Sequence, residues 1–367
     1  MDRTKWLERS ARTSYRFMRV SRATGLETER LVMLKGGSIT RNNDVRVFET
    51  AEVEAVGTVD LGPDLVRVYM ETEWPDGTTE TTVLGTFLPT VPSRGITDQY
   101  SKASMKLTGR LQELLDDKFS VPVVYQKGTN AVKAAADICR QQGLSVIADD
   151  SDFTITNPRS YGVGVQQNNS ETGDTKLDAV NDLLALADFQ AAKTDERGNV
   201  IMRKYVRPDE RPEVWTFTEG SSATFEADMK EERDISKTAN HVVVVYQNEE
   251  STFLGEAYDT DPTSELSTVS RGRTITKTYS YTELPPGKTD SERQQYANAR
   301  AERLLKSDQS VIRKVFMRYA YAPITATDAV ILDYPSGGIG GKFEVRTQRL
   351  KLSGGCPCES ELRRFER

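Results

Sequence analysis

Histidine is nearly absent from this chain of 367 residues, which contains one, His241. A single histidine excludes zinc peptidases that hold the metal with two histidines on one helix face. The sequence has no G-x-S-x-G motif either, which excludes the serine nucleophile of common hydrolases. Since His241 directly precedes four valines, we predict a structural histidine at the edge of a strand.

Cysteine is also scarce, and its spacing excludes a disulfide framework. The three cysteines are Cys139, Cys356 and Cys358. Cys139 falls on the apolar side of a predicted helix, where a small buried hydrophobe is the usual explanation. The C-x-C pair has no second cysteine pair and no histidine nearby, so it is a weak metal signal. We therefore predict no metal, no cofactor and no catalytic residue.

Long apolar runs are missing too. The longest, Val242–Tyr246, fits one buried strand and is far below the ~20 residues that span a bilayer. The first residues carry charges without an apolar segment, so we expect no secretory signal and folding in a cytosol. No stable membrane insertion is expected.

The charge balance argues against a duplex-binding protein. The 49 basic and 55 acidic residues give a net charge of −6, whereas non-specific duplex binding needs an excess of basic side chains. Residues 1–22 are the exception, with seven basic and two acidic residues. We interpret them as a solvated terminus in preference to an arm that docks on an acidic neighbour.

What the sequence does contain is strand pattern, in two blocks separated by helices. Apolar residues alternate in segments bounded by Gly, Pro and Asp, which predicts a β-meander from Tyr15 to Pro92. The turns fall at Gly36-Gly37 and Pro75–Gly77. Residues 31–40 end one predicted strand, turn at Gly36-Gly37 and begin the next, and further strands are predicted at 44–56, 65–73 and 78–88. One face of the strand at 44–56 carries Val45, Val47, Ala51, Val53 and Ala55.

Helical periodicity follows between residues 110 and 187. A short helix is predicted at 110–117, after a strand at 101–109. A second helix has Thr129 or Asn130 as its cap and Gly143 at its end, and strands at 121–125 and 144–148 would complete a β-α-β-like unit. Thr175 to Asp178 has the form of a capping box for a third helix. Residues 194–199 form a hairpin turn between strands at 189–193 and 200–206.

From residue 213 the pattern is mainly strand again. The predicted strands are 214–218, 223–227, 241–247, 311–319, 328–333 and 342–352. A long polar loop is predicted at 248–273, and a helix at 291–306 with a capping box from Ser291 to Gln294. The chain therefore divides into three predicted domains, at 1–100, 101–212 and 213–367, in an α+β, mainly β fold.

The acidic clusters could be interpreted as catalytic, and the glycine-rich segment 336–342 could be interpreted as a phosphate loop. A glycosidase needs only two carboxyl groups about 5–10 Å apart. The acidic clusters at 149–152, 116–117 and 231–234 lie in polar surroundings, so we interpret them as solvated surface. The glycine-rich segment 336–342 lacks the spacing and the following helix of a phosphate loop, and we predict a flexible hairpin tip.

The order of these parts resembles that of the tail hub, or baseplate hub, proteins of tailed bacteriophages and prophages. The resemblance covers nearly the whole chain, and it rests on short motifs in a fixed order. They are Ser14–Val20, Gly36–Thr40, Leu84–Pro89, Leu177–Leu184, Asp195–Asn199 with Tyr205, Thr238–Val245, Asp328–Leu332 and Gly341–Leu352.

The resemblance implies a fold and a role. It implies two tail-tube-like β-barrel domains, at 1–100 and 213–367, with an α/β insertion at 101–212 and a homotrimeric ring. The ring would adapt the hexameric tail tube to a threefold tip and surround the DNA ejection channel. The implied partners are the tail tube or distal tail protein, the tape measure protein and tip spike or fibre proteins. The implied location is the virion tail tip, after assembly in the host cytoplasm.

Three other functions remain open. A hub of a contractile injection or secretion system would have the same barrels. A tail-associated cell-wall glycosidase would need a carboxylate pair in an apolar pocket. A carbohydrate-binding receptor protein would need clustered exposed aromatics, whereas Trp6, Trp74 and Trp215 are scattered along the chain. Since the closing strands run almost to Arg367, we expect any lysin to be a separate chain.

Overall fold

The structure is a computed structural model. It describes residues 11–32, 36–56, 61–89, 93–96, 101–155, 157–162, 175–208, 210–233, 238–247, 251–281, 285, 289–309 and 311–366. The first ten residues of the basic terminus, including Trp6, therefore lie outside the described residues. So do most of the predicted loop at 157–173 and Asp234 of the third acidic cluster.

Strands dominate the described residues, which confirms the mainly β fold class. They are β1 Arg12–Val20, β2 Glu27–Leu31, β3 Ser38–Asn42, β4 Glu49–Val56, β5 Leu65–Glu73, β6 Thr79–Pro89, β7 Ser93–Ile96, β8 Ser101–Gly109, β9 Val123–Tyr125, β10 Val146–Ala148, β11 Arg159–Tyr161, β12 Lys193–Thr194, β13 Val200–Met202, β14 Glu213–Thr218, β15 Lys230–Arg233, β16 His241–Gln247, β17 Thr252–Tyr258, β18 Thr276–Tyr281, β19 Val311–Tyr319, β20 Ala329–Tyr334, β21 Ile339–Lys351 and β22 Cys358–Glu366.

The helices are fewer and mostly short. They are α1 Gln112–Asp116, α2 Ala131–Gln141, α3 Lys176–Leu186, α4 Thr268–Arg271 and α5 Asp290–Asp308. None of these described helices is long and apolar enough to cross a bilayer.

The chain folds into two compact units. Unit 1 comprises Met1–Asp228 and Met317–Glu361, and unit 2 comprises Met229–Phe316 and Leu362–Arg367. The domain boundaries predicted at residues 100 and 212 stay a prediction. In the sheet of unit 1, strands from the C-terminal part of the chain pair with strands from the N-terminal part.

The large sheet of unit 1 runs in the order β21-β3-β4-β8-β6-β5-β1-β2, and β20 lies between β14 and β21. The pairing of β3 with β21 places Ile39 opposite Leu350. The predicted simple meander is therefore wrong, because β3 pairs with β21 and β4 and not with the preceding strand. The described strand order is an open path, so closed barrels stay a prediction.

The prediction of the buried face of β4 is confirmed only in part. Ala51, Val53 and Ala55 are buried as expected, but Val45 is 51% exposed. The strand begins at Glu49 and not at Asp44, because Asn42 Oδ1 accepts the backbone N–H of Asp44 at 2.8 Å and closes a turn there.

The helical segment of unit 1 has its own core, which α2 and α3 form with the strands around them. Asn130 caps α2 by accepting the N–H of Lys133 at 2.9 Å, and Gly143 has φ 74° after the helix, as predicted. The capping box of Thr175 and Asp178 is also confirmed.

The predicted β-α-β pairing of this segment is wrong. Strand β10 pairs in parallel with β13, whereas β9 pairs antiparallel with β11. The chain passes through α3 on its way from β10 to the parallel partner β13. The helix α2 connects β9 to β10, and these two strands belong to different sheets. The hairpin of β12 and β13 is confirmed, with shorter strands than predicted.

Unit 2 contains a three-stranded sheet in the order β17-β16-β18, covered by α5. The polar loop predicted at 248–273 is wrong, because β17 lies within it and alternates buried Phe253 and Ala257 with exposed residues. The helix α5 buries Ala297, Ala301 and Leu305, as predicted.

Three smaller predictions for the C-terminal half need correction. The capping box of α5 is formed by Thr289 and Glu292 and not by Ser291 and Gln294, because the helix begins one residue earlier, at Asp290. The strand predicted at 223–227 is reduced to one bridge, between Phe225 and Tyr319. Strand β22, by contrast, was not predicted at all.

Candidate functional site

His241 is held by packing contacts at the start of β16. Its side chain is 8% exposed, its Nδ1 lies 2.9 Å from Thr276 Oγ1, and its ring stacks on Tyr258 with centroids 3.9 Å apart. Nε2 has no hydrogen-bond partner within the described residues. Neither contacting group orients an imidazole as a general base towards a nucleophile, so these contacts are those of a packed side chain.

Each acidic cluster has at least one carboxylate in an ion pair, namely Asp149, Asp117 and Glu231. Partial burial opposes the ionised form of Asp149, but hydrogen bonds from Arg203 Nη1 at 2.5 Å and Lys204 N at 3.0 Å outweigh it and lower the pKa. The hydrogen bond from Lys176 Nζ at 2.5 Å likewise lowers the pKa of Asp117. Glu231 pairs with Arg313. A general acid needs a raised pKa, so the lowered pKa of Asp149 and Asp117 favours the ionised form instead.

A buried carboxylate that the sequence analysis missed lies in unit 1. Glu49 on β4 is 1% exposed, and its Oε1 accepts a hydrogen bond from Arg41 Nε at 3.0 Å. Its Oε2 has no hydrogen-bond partner within the described residues. Burial raises the pKa of Glu49 to about 7, although Arg41 opposes this shift. Arg41 occupies an inward position of β3, two residues after Ile39, and that alternation is the signal that could have identified it.

Arg41 lies in a polar network that also reaches Glu196, whose Oε1 is 3.7 Å from Arg41 Nη2. Its Nη1 donates to Gln348 Oε1 at 3.0 Å and its Nη2 to the Leu84 carbonyl at 2.7 Å. Gln348 Nε2 donates in turn to the Ile324 carbonyl at 2.9 Å. The network joins β3, β4, β6 and β21 inside the sheet, so its chemistry is that of a buried structural connection.

The cysteines and the glycine-rich segment lie in structural positions. Cys139, Cys356 and Cys358 are buried free thiols. The residues that the structure describes contain no group of three or more His, Cys, Asp or Glu side chains placed to hold a metal ion. The glycine-rich segment forms the hairpin between β20 and β21, as predicted, with a 3-10 turn at Pro335–Gly337.

Exposed apolar residues mark surfaces through which a structural protein can act. Leu26 is 67% exposed and Val32 is 70% exposed, and they flank β2, the last strand in the sheet order of unit 1. Val121 is 64% exposed and Val124 is 47% exposed beside the small sheet of β9 and β11. Among the described residues β2 pairs only with β1. An edge strand of this kind can pair with another chain, so the β2 edge is the candidate interaction surface.

Comparison with known proteins gives the fold a context. No protein-family model matches the sequence, and no curated protein matches it. Among solved structures, a tail protein from Neisseria meningitidis MC58 matches with a TM-score of 0.66 and 15% identity, over 97% of each chain. The 43 kDa tail protein of prophage MuSo2 from Shewanella oneidensis matches with a TM-score of 0.61 and 10% identity, over 96% of this chain and 98% of that one.

The chain has a phage tail-protein fold. Tail protein gp18 of a Listeria monocytogenes prophage shares it, with a TM-score of 0.55 and 11% identity over 96% of this chain and 95% of that one. This chain also matches a chain in a structure of the Francisella PdpA–VgrG complex, with a TM-score of 0.54 and 10% identity, over 96% of this chain and 58% of that one.

Proposed function

We propose that the protein is a structural component of a bacteriophage or prophage tail, and that it forms the hub of the tail tip. The observation that carries the proposal is the end-to-end likeness to tail proteins, which covers 97% of this chain and 97% of the Neisseria protein.

The hub role has three parts. Three copies form a ring of paired β-barrels, the ring adapts the hexameric tail tube to a threefold tip, and the genome passes through its channel. The partners are the tail tube or distal tail protein, the tape measure protein and the spike or fibre proteins. The net charge of −6 supports passage of DNA, because an acidic chain does not hold phosphates by releasing counterions.

The assembly state gives the direct test. We expect sedimentation and light scattering to find a species about three times the 41.0 kDa of the chain, and electron microscopy to find threefold rings. Obligate assemblies of this kind bury several thousand Å². A monomer that persists at high concentration and in the presence of the tail tube protein would contradict the proposal.

We also propose that the protein breaks no covalent bond. At least one carboxylate of each acidic cluster forms an ion pair, and Glu49 lies inside the sheet beside Arg41, where no polysaccharide can reach it. In a peptidoglycan zymogram we therefore expect no clearing zone, with lysozyme in a parallel lane as the positive control. A clearing zone that moves with the 41.0 kDa chain would refute this part of the proposal.

A second candidate function is the hub of a contractile injection or secretion system. The match to the Francisella PdpA–VgrG complex favours it, since this chain is covered to 96% there. Co-purification from the native host distinguishes the two. Recovery in particles that contain DNA and a tape measure protein supports the phage hub, whereas recovery with a contractile sheath and no capsid supports the alternative.

A further inference from the structure

A small pocket lies in unit 1 beside the hairpin of β12 and β13. Its volume is about 180 Å³. The side chains that line it include Gln190, Lys193, Ile201, Arg203, Arg211 and Thr327. Pockets for drug-sized ligands span about 300–1,000 Å³, so this one has room for a small group and not for a nucleotide or a sugar chain.

Three cations line the pocket, and two of them already have partners. Arg211 Nη1 donates to Glu344 Oε1 at 2.8 Å and to the Thr327 carbonyl at 2.9 Å. Arg203 Nη1 donates to Asp149 at 2.5 Å. Lys193 differs, because within the described residues its Nζ has no ion pair or hydrogen bond and lies 5.6 Å from the centroid of the Phe48 ring.

The surroundings of Lys193 disfavour the protonated form of its side chain. Burial lowers its pKa to about 8. Glu344 and Asp328 act in the opposite direction, and the neighbouring Arg211 and Arg346 lower the pKa further. A half-buried cation next to other cations is stabilised by an anion that enters the pocket.

The backbone of Thr327 is strained where it meets the pocket. Its φ is 90°, a conformation that β-branched residues rarely adopt and that costs about 1–3 kcal/mol. Its N–H donates to the Val345 carbonyl at 2.6 Å and its carbonyl accepts from Arg211 Nη1 at 2.9 Å, so both sides of the residue are fixed. Strain of this kind concentrates at ligand sites, and this observation is independent of the charges.

We propose that this pocket binds a small oxyanion, a phosphate or a carboxylate group, with Lys193 as its charge partner and Arg203 and Arg211 as further donors. The bound group supplies the direct ion pair that Lys193 does not make with Glu344, Asp328 or any other described residue. The binding does not depend on the tail role, because the pocket belongs to the single chain.

Thermal unfolding in matched salts tests the site. At pH 7 and constant ionic strength, we expect saturating inorganic phosphate or acetate to raise the Tm by about 2–4 °C above the value in chloride. A response to phosphate alone identifies a phosphate site, and a response to acetate alone a carboxylate site. The effect should fade as the pH rises through about 8, because Lys193 then loses its proton.

Two variants separate binding from general salt effects, since excluded anions also stabilise proteins. Lys193→Gln removes the charge and should abolish the excess Tm rise, while its Tm in chloride should equal or exceed that of the wild type. Lys133→Gln, at an exposed position on α2, should keep the full rise. Retention of the rise in Lys193→Gln, or its absence in the wild type with no heat in a phosphate or acetate titration by calorimetry, would overturn the proposal.

Discussion

Replacement of Arg41 by methionine is expected to lower the free energy of unfolding of unit 1 by about 3–5 kcal/mol, because it leaves a buried carboxylate without its charge partner. Arg41 is 4% exposed and Glu49 1% exposed, so water cannot replace the lost contact. Gln348 Oε1 and the Leu84 carbonyl would lose their donors as well. Urea unfolding followed by the fluorescence of Trp74 and Trp215, both buried in unit 1, measures the change.

Two controls show whether burial of the charge is the cause. Arg46→Met removes an arginine that is 63% exposed and that pairs with Asp178 at 3.3 Å, and we expect a loss below about 1 kcal/mol. The double variant Arg41→Met with Glu49→Leu replaces the buried pair by apolar side chains, which is often neutral. We expect it to regain most of the stability that the single variant loses. Equal losses in Arg41→Met and Arg46→Met would refute the argument.

The predictions that succeeded were local. The helix α2 could be predicted because Asn130, the buried face with Cys139 and the terminal Gly143 lie within fourteen residues of one another, and each has one dominant conformational preference. The capping box at Thr175 succeeded for the same reason. The buried residues of such a helix can be predicted from the spacing of its own apolar residues.

The predictions that failed depended on distant partners. Nothing local to Ile39 shows that it pairs with Leu350, more than three hundred residues later, so the meander was a reasonable but wrong interpretation. The buried pair of Arg41 and Glu49 was missed because charged residues are mostly exposed. The pocket at Lys193 was missed because Arg211 and Thr327 reach it from other parts of the chain.

Strand β17 shows a different cause of failure. Its inward positions are Phe253, Gly255 and Ala257, two of them so small that the alternation is weak in the sequence. The small side chains let α5 approach closely. A Cβ added at Gly255 would lie 2.1 Å from the Ala297 carbonyl oxygen and 2.9 Å from Asn298 N, both of which are backbone atoms of α5.

Gly255→Ala is therefore expected to destabilise unit 2 by about 3 kcal/mol, at the upper end of the usual range for overpacking. A flexible side chain could turn away, but the backbone of α5 can yield only if the whole helix moves. The helix cannot move without opening the small core in which Ala297 and Ala301 pack on the sheet. Hydrogen exchange measured by mass spectrometry should show faster exchange in β17 and α5.

A matched control substitution, Gly340→Ala, is expected not to lower the stability, because it adds a Cβ without a clash. Gly340 on β21 has open space around an added Cβ and no positive φ. Gly340→Ala should be neutral or stabilising by less than about 1 kcal/mol, since alanine reduces the entropy of the unfolded chain. The same entropy gain acts at Gly255, so a net loss there must come from the contact with α5. If Gly255→Ala matched Gly340→Ala in Tm and in exchange, the close packing of β17 on α5 would be refuted.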